Sequence, residues 1–434
     1  MNPTALWALG FRPFYLLAAV QAALVLPLWV LVFGGQTGLA SPLPGSLWHA
    51  GEMISGFAMA VIVGFLLTAG RNWSGQPTPS GGALATLAGL WLLGRGLAFS
   101  PWPLAGAAAD LTFALAAAAG LGRALHRGGN RRNFFFVGLL VLLGSAGASM
   151  RVLALHDAAL ARQALQLALD VVLFIIAVMA GRVVPMFTRN GVPGTQPRQL
   201  PQLERVALGL LLVLAIVNPL PWPPELVGAI ALAAAIAHAA RLVLWQPART
   251  LRVPLVAVLH IACAWIPLHL LLRALAAFGW VAPSVATHAL TAGAIGLLTL
   301  AMMTRTARGH TGRPLKADRI DVAIYLLALL AALLRVIPPL LAPESLLAEY
   351  AEVMARVRKC PSMPYLVITI LPLLPGAGVY YTMSLGLEGN MMDAVAKGLE
   401  TIGVAGALAV GILLVSSVFR ILNRRIRGAR TLES

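Results

Sequence analysis

Apolar runs of about 20 residues follow one another along most of this chain, and no other sequence feature restricts its fold as strongly. A helix of that length spans the ~30 Å hydrocarbon core of a bilayer. Of the 434 residues, 59% are hydrophobic and 11% are charged, whereas soluble proteins carry about 25% charged residues. A transmembrane β-barrel would show shorter segments of alternating polarity. The sequence therefore predicts an all-α, polytopic integral membrane protein, a helical bundle of about 12–13 transmembrane helices.

The connections between these runs predict the topology. Every second connection is basic, as in RALHRGGNRRN (123–133) and TRTARGHTGRPLKADR (304–319). The connections between these basic ones lack Lys and Arg. Because Lys and Arg are enriched on the cytoplasmic side, we expect a cytoplasmic amino terminus and an outward-facing WHAGEM (48–53). RVLALHDAALARQ (151–163) is the exception, since this outer connection contains Arg151. The predicted spans cover 14–33, 52–70, 82–100, 103–124, 134–155, 165–187, 204–221, 225–245, 254–278, 284–304 and 320–341.

The net charge of +17 does not predict nucleic-acid binding, because the basic residues lie mostly in these short connections. The alternation of basic and neutral connections fails after residue 343. ESLLAEYAEVMARVRKC (344–360) is charged and amphipathic, and two further apolar runs cover 362–387 and 397–419. If both runs cross the bilayer, the basic carboxyl terminus lies outside, against the charge rule. We therefore predict one transmembrane domain of about 11 helices over 1–343 and a different segment over 344–434.

Separated motifs in the first segment resemble the NnrS family, and the resemblance covers about residues 5–340. It implies a bacterial inner-membrane protein that contains haem and copper and is tied to the nitric oxide and denitrification response. Whether such a protein is an enzyme stays open. The motifs are FRPF (11–14), LWHAGEMISGFAMAVIVGFLLTAGRNWSGQP (47–77), GRVVPMFTRNGVP (181–193), HAARLVLWQPARTLRVPLVAVLHIACAWIPLHLLL (238–272) and HALTAGAIGLLTLAMMTRTARGHTGRPL (288–315).

One position departs from the NnrS pattern. The family motif is usually WHxHEM, with two histidines two positions apart, and this chain has Gly51 at the second position. If that pair helps to hold a metal, this chain lacks one ligand, while His49 and Glu52 remain.

The tail is similar to another family. PYLVITILPLLPGAGVYYTM and the sequence that follows it, to residue 417, resemble the carboxyl-terminal part of the threonine/serine exporter family over about residues 345–425. This change of resemblance coincides with the break in the charge pattern. It implies a gene fusion, a frameshift or a recombination, and a tail that lacks the other helices of a transport pathway.

Histidines in the spans are the candidate cofactor ligands, because neutral imidazole binds haem iron and copper. At 1.5 Å per residue they fall into two tiers by depth. His260 and His269 are nine positions apart, about 180° around a helix, so they cannot serve one small site. We predict that the inner tier binds haem and that the outer tier, with Glu52, binds copper; the alternative is interhelical hydrogen bonding. The outer tier contains His49, His269 and His288, and the inner tier contains His238 and His260.

Arginines in hydrocarbon cost ~3 kcal/mol or more and need a partner. A haem propionate is one candidate partner, because guanidinium binds carboxylate through two hydrogen bonds. Arg12 and Arg182, near span ends, are the candidate cofactor contacts. For the deeper Arg95 we favour an ion pair, with Asp110 or Asp170 as its partner.

Two functions follow as hypotheses. The first is a membrane metalloprotein of the nitric oxide response, with haem and copper held between helices and nitric oxide as its ligand. The second is a transporter of a metal, haem or a small solute, with amino-acid export suggested by the tail. The lipid bilayer is the expected environment, and the sequence leaves the oligomeric state open.

Overall fold

A computed structural model of the chain describes residues 3–33, 43, 45–341 and 391–396. Every regular element in these residues is helical, which confirms the predicted all-α class. Nine helices in the described part are long and apolar enough to cross a membrane, and Gly82–Leu97 is a shorter apolar helix. The chain is therefore a multi-pass membrane protein. The predicted runs at 362–387 and 397–419 lie outside the described residues, as does the predicted boundary after residue 343.

The chain divides into two compact units, Met1–Leu330 and Ala331–Ser434. The first unit contains almost all of the described helices. The α-helices are α1 Pro3–Leu6, α2 Phe11–Phe33, α3 Gly45–Gly51, α4 Met59–Ser74, α5 Gly82–Leu97, α6 Pro103–Arg127, α7 Phe135–Leu153, α8 Ala158–Gly191, α9 Pro201–Val217, α10 Pro224–Leu244, α11 Pro254–Ala277, α12 Pro283–His288, α13 Leu297–His310 and α14 Arg319–Leu341.

Local sequence explains where several helices begin and end. Asp157 caps α8, because its side chain accepts hydrogen bonds from the backbone amides of Ala159 and Leu160. Gly75 closes α4 in the left-handed region, with φ of 65°. Proline suits the first turn of a helix because its missing N–H has no partner there. It begins α6, α9, α10 and α11.

Two of the membrane-spanning helices contain a π-helical segment. The first π segment, Glu52–Ala58, joins α3 to α4, and the second π segment, Ala289–Gly296, joins α12 to α13. Such segments are rare and often lie at functional sites. Because each begins directly after a short α-helix, Gly51 and His288 occupy equivalent positions before the two π segments.

The helices differ in how far the bundle covers them. In the apolar windows of Gly45–Ser74 and Pro254–Ala277, 72% of residues are buried, whereas only 22% are buried in Phe11–Val32. In a bilayer, the exposed leucines and valines of α2 therefore face lipid. The central helices are the ones that carry most of the candidate ligands.

Candidate functional site

A closed ring of four charged side chains lies inside the bundle, with one residue from each of four helical segments. Glu52 belongs to the first π segment, Arg95 to α5, Asp110 to α6 and Arg151 to α7. Arg95 Nη1 lies 2.8 Å from Glu52 Oε1, and its Nη2 pairs with Asp110 Oδ1. Arg151 contacts the same two acids at 2.6 and 3.0 Å, and Gln21 donates to Glu52 Oε2 at 2.9 Å. Every charge in the ring is therefore paired, as burial requires.

The ring confirms one sequence prediction and corrects another. Arg95 pairs with Asp110, as expected. Arg151 was counted with an outer connection, but it lies within α7, as the predicted span 134–155 implies, and is 2% exposed. Its partners explain why a connection predicted to be outside carries an arginine. Glu52 belongs to this ring of charges. The imidazole of His49 instead stacks on the side chain of Trp29, with 4.9 Å between the two centroids.

A second buried ion pair joins α8 to α11. Arg273 Nη1 lies 2.5 Å from Asp170 Oδ1, and its Nη2 lies 3.0 Å from Oδ2. Gln166 also donates to Asp170, at 3.0 Å. Sequence reasoning identified Asp170 as a scarce intramembrane acid but missed Arg273. The position of Arg273 inside an apolar run was the signal that could have identified it.

His238 has a hydrogen-bond partner at both ring nitrogens. Arg241 forms two hydrogen bonds to Glu204, at 3.0 and 2.7 Å, and lies 3.1 Å from His238 Nδ1. A guanidinium has only donors, so Nδ1 must accept. Nε2 donates to the carbonyl oxygen of Ala207 at 3.3 Å. Both ring nitrogens of His238 are therefore engaged, so a metal at this residue would have to replace one of these hydrogen bonds.

His260 has one nitrogen without a partner. Thr188 donates its one hydroxyl proton to the carbonyl oxygen of Val184 at 2.9 Å. The same hydroxyl lies 2.7 Å from His260 Nε2, so that nitrogen donates to it. Nδ1 then carries the lone pair, and it is buried with no hydrogen-bond partner in the described part of the chain.

His269 shows the same arrangement with the nitrogens exchanged. Nδ1 donates to the carbonyl oxygen of Ala286 at 2.8 Å, which places the lone pair on Nε2. Nε2 is buried and has no hydrogen-bond partner among the described residues. Metal-binding histidines usually donate their other N–H to a carbonyl or carboxylate in this way. His260 and His269 therefore fit as single ligands of iron or copper.

The other predicted site residues do not come together into one site. Among the described residues, no group of three or more His, Cys, Asp or Glu lies close enough to hold a metal. His288 Nδ1 donates to the carbonyl oxygen of Ser284 at 2.7 Å, within its own helix. Arg12 donates to the carbonyl oxygen of Ala5 at 2.5 Å, and Arg182 donates to Asn133 at 2.6 Å.

An apolar cavity of about 90 Å³ lies between α2, α4, α8, α11 and α13. Leu259, the neighbour of His260 in sequence, is one of its lining residues. The two helices that contain π segments line it through residues with identical spacing. These are Val61, Ile62 and Phe65 of α4 and Leu298, Thr299 and Met302 of α13.

Two family models match the chain. The NnrS protein family matches residues 5–357, and the threonine/serine exporter family, ThrE, matches residues 321–418. None of the curated proteins compared with the chain matches it. The exporter match covers a minor part of the chain, so it is a similarity of the tail. The NnrS match covers most of the chain and includes all of the buried histidines and ion pairs described above, and the chain therefore belongs to the NnrS family.

Proposed function

We propose that this chain is a haem-binding bacterial inner-membrane protein of the nitric oxide response, with a cytoplasmic amino terminus and copper as a second metal. The observation that carries the proposal is the state of His269. Its Nδ1–H is fixed by the Ala286 carbonyl, and its Nε2 is a buried lone pair without a hydrogen-bond partner in the described residues. A buried polar atom without a partner is costly, which favours a bound group at that nitrogen.

His260 and His269 would each hold a different group. They lie on one helix, nine positions apart, which separates them by about 13 Å along its axis and places them on opposite faces. The hydrogen bonds to Thr188 and Ala286 orient each imidazole. Bound iron would supply an open coordination position for nitric oxide. Ligand roles for His49, Glu52, His238 and His288, and propionate contacts for Arg12 and Arg182, stay predictions.

The cavity supports a small uncharged ligand. Its volume of about 90 Å³ is well below that of pockets for drug-sized ligands, about 300–1,000 Å³, and suits a molecule of only a few atoms. Its lining is mostly apolar, so it excludes ions and accepts a neutral diatomic molecule. Its lining includes Leu259, which directly precedes His260 in α11.

The proposal is tested by measuring haem and copper in purified full-length protein and in matched variants. We expect His260→Ala and His269→Ala each to lose most of one bound group. His126→Ala is the control, because His126 is exposed at the end of α6. Equal haem and copper contents in all three variants and the wild type, or a folded wild type that binds neither, would contradict the proposal.

Export of a small solute is the second candidate, and the exporter match over residues 321–418 favours it. It predicts efflux of threonine or serine from vesicles that contain the full-length protein. The same vesicles with a chain that ends before residue 344 provide the comparison. Efflux that equals that of protein-free vesicles would exclude this candidate.

A further inference from the structure

Two arginines lie together where α7 and α8 meet one end of the bundle. Arg132 is in the turn Arg131–Asn133 before α7, and Arg182 is on α8. Arg182 Nη1 donates to Asn133 Oδ1 at 2.6 Å, and Arg132 is the residue that directly precedes Asn133. Asn133 is oriented by Asn130, which accepts from its Nδ2 at 3.0 Å. The turn therefore fixes an amide and a guanidinium next to a second guanidinium.

No carboxylate pairs with either arginine within the described residues. The acids at this end of the first unit are engaged elsewhere, Glu204 with Arg241 and both Asp318 and Asp321 with Arg308. Two neighbouring guanidiniums repel each other, and an anion placed between them would relieve that repulsion. Planar guanidiniums bind phosphate oxygens through paired hydrogen bonds. The local charge is therefore complementary to a phosphate group.

The aromatic residues beside these arginines are partly exposed, on a surface that faces lipid in a bilayer. Phe134 and Phe135 are 46% and 38% exposed, at the start of an apolar helix. Arg182 lies 5.7 Å from the centre of the Phe135 ring and 5.6 Å from that of Phe136. Exposed aromatic rings at the end of a span contact the boundary between headgroups and acyl chains. A ligand that contacts both the arginines and these rings must therefore have an anionic group joined to an apolar chain.

We propose that Arg132 and Arg182 bind the phosphate of an anionic phospholipid whose acyl chains lie along Phe134 and Phe135. Basic sites between spanning helices bind lipid headgroups by this chemistry. The site is separate from the candidate metal ligands and goes beyond the proposed function. It also assigns Arg182 a ligand other than the haem propionate that the sequence suggested.

The test is a lipid titration of delipidated full-length protein in a neutral detergent, with the thermal midpoint as the readout. A lipid that binds the folded state raises that midpoint, and the rise grows with the logarithm of the lipid concentration relative to its dissociation constant. We expect phosphatidylglycerol to raise it, and phosphatidylcholine and inorganic phosphate to leave it unchanged. Arg132→Gln and Arg182→Gln should each weaken the apparent affinity for phosphatidylglycerol about fivefold.

Arg198→Gln is the matched control, because Arg198 is an exposed arginine in another basic connection and loses the same charge. It should titrate like the wild type. An equal loss of affinity in all three variants would contradict a defined site. An equal response to inorganic phosphate would contradict a lipid ligand. Loss of haem from Arg182→Gln at an unchanged lipid affinity would assign Arg182 to the propionate instead.

Discussion

The two helices that contain π segments, Gly45–Ser74 and Pro283–His310, share a backbone design but are stabilised differently. The first π segment contains Glu52, which belongs to the buried ring, and Trp91 Nε1 donates to the carbonyl oxygen of Gly56 at 3.0 Å. The second π segment, ALTAGAIG, contains no charged residue. There the indole of Trp265 packs so closely on Gly293 that a Cβ atom would lie 2.3 Å from Cδ2.

A π segment in a membrane helix can therefore be positioned either by buried charge or by packing. Ion pairs are directional, but each depends on all of its partners, because a lone buried charge is very costly. Close packing depends on shape alone, and it is sensitive to a single added methyl group. The two helices should therefore respond to different kinds of substitution.

Removing one charge from the ring should cause the largest loss in the free energy of unfolding. Arg151→Met leaves the two ring acids with one arginine between them, and such a loss typically costs about 3–5 kcal/mol. The free energy of unfolding, measured by detergent denaturation of the full-length protein, checks this. Glu52→Gln combined with Arg151→Met keeps the Arg95–Asp110 pair and leaves the ring neutral, so the double variant should lose less. A double variant that is less stable than Arg151→Met would contradict charge balance as the stabilising factor.

Adding a methyl group at the contact between Gly293 and Trp265 should cause the next largest loss in the free energy of unfolding. Gly293→Ala places a methyl group against the rigid Trp265 ring, and overpacking of this kind costs about 1–3 kcal/mol. Gly296→Ala is the control within the same π segment, because the nearest atom to its added Cβ would be the Thr291 carbonyl oxygen, at an ordinary 3.5 Å. The same denaturation assay separates the two. Equal losses would show that the contact with Trp265 does not set the cost.

Sequence reasoning predicted the order of the helices and named Asp110 and Asp170 as the two candidate partners of Arg95, because apolar length and scarce intramembrane charges are both visible in the sequence. It assigned Arg151 to a connection because the charge rule cannot distinguish a loop arginine from a buried one that has partners on other helices. It did not predict the π segments, since one extra residue per turn leaves the apolar pattern unchanged. It also grouped histidines by depth. Which nitrogen carries a lone pair depends on contacts to Thr188, Ala207 and Ala286, which lie far away in sequence.

The smallest effect is expected at the position where this chain departs from the WHxHEM motif. A Cβ at Gly51 would lie 2.8 Å from Met150 Cε, the flexible end of a side chain that can move aside. Gly51→Ala should therefore change the free energy of unfolding by about 1 kcal/mol or less. Gly293→Ala is the comparison, because its obstacle is a rigid ring. A loss at position 51 as large as at position 293 would show that Met150 is as constrained as Trp265.

The most direct test of the central claim, that buried imidazoles of α11 hold a metal cofactor, is the absorbance spectrum of purified full-length protein before and after anaerobic addition of nitric oxide. We expect a haem Soret band that shifts when nitric oxide binds and that is lost or altered in His269→Ala but not in His126→Ala. A folded protein without a Soret band would contradict the claim, as would a band that neither nitric oxide nor the loss of His269 affects.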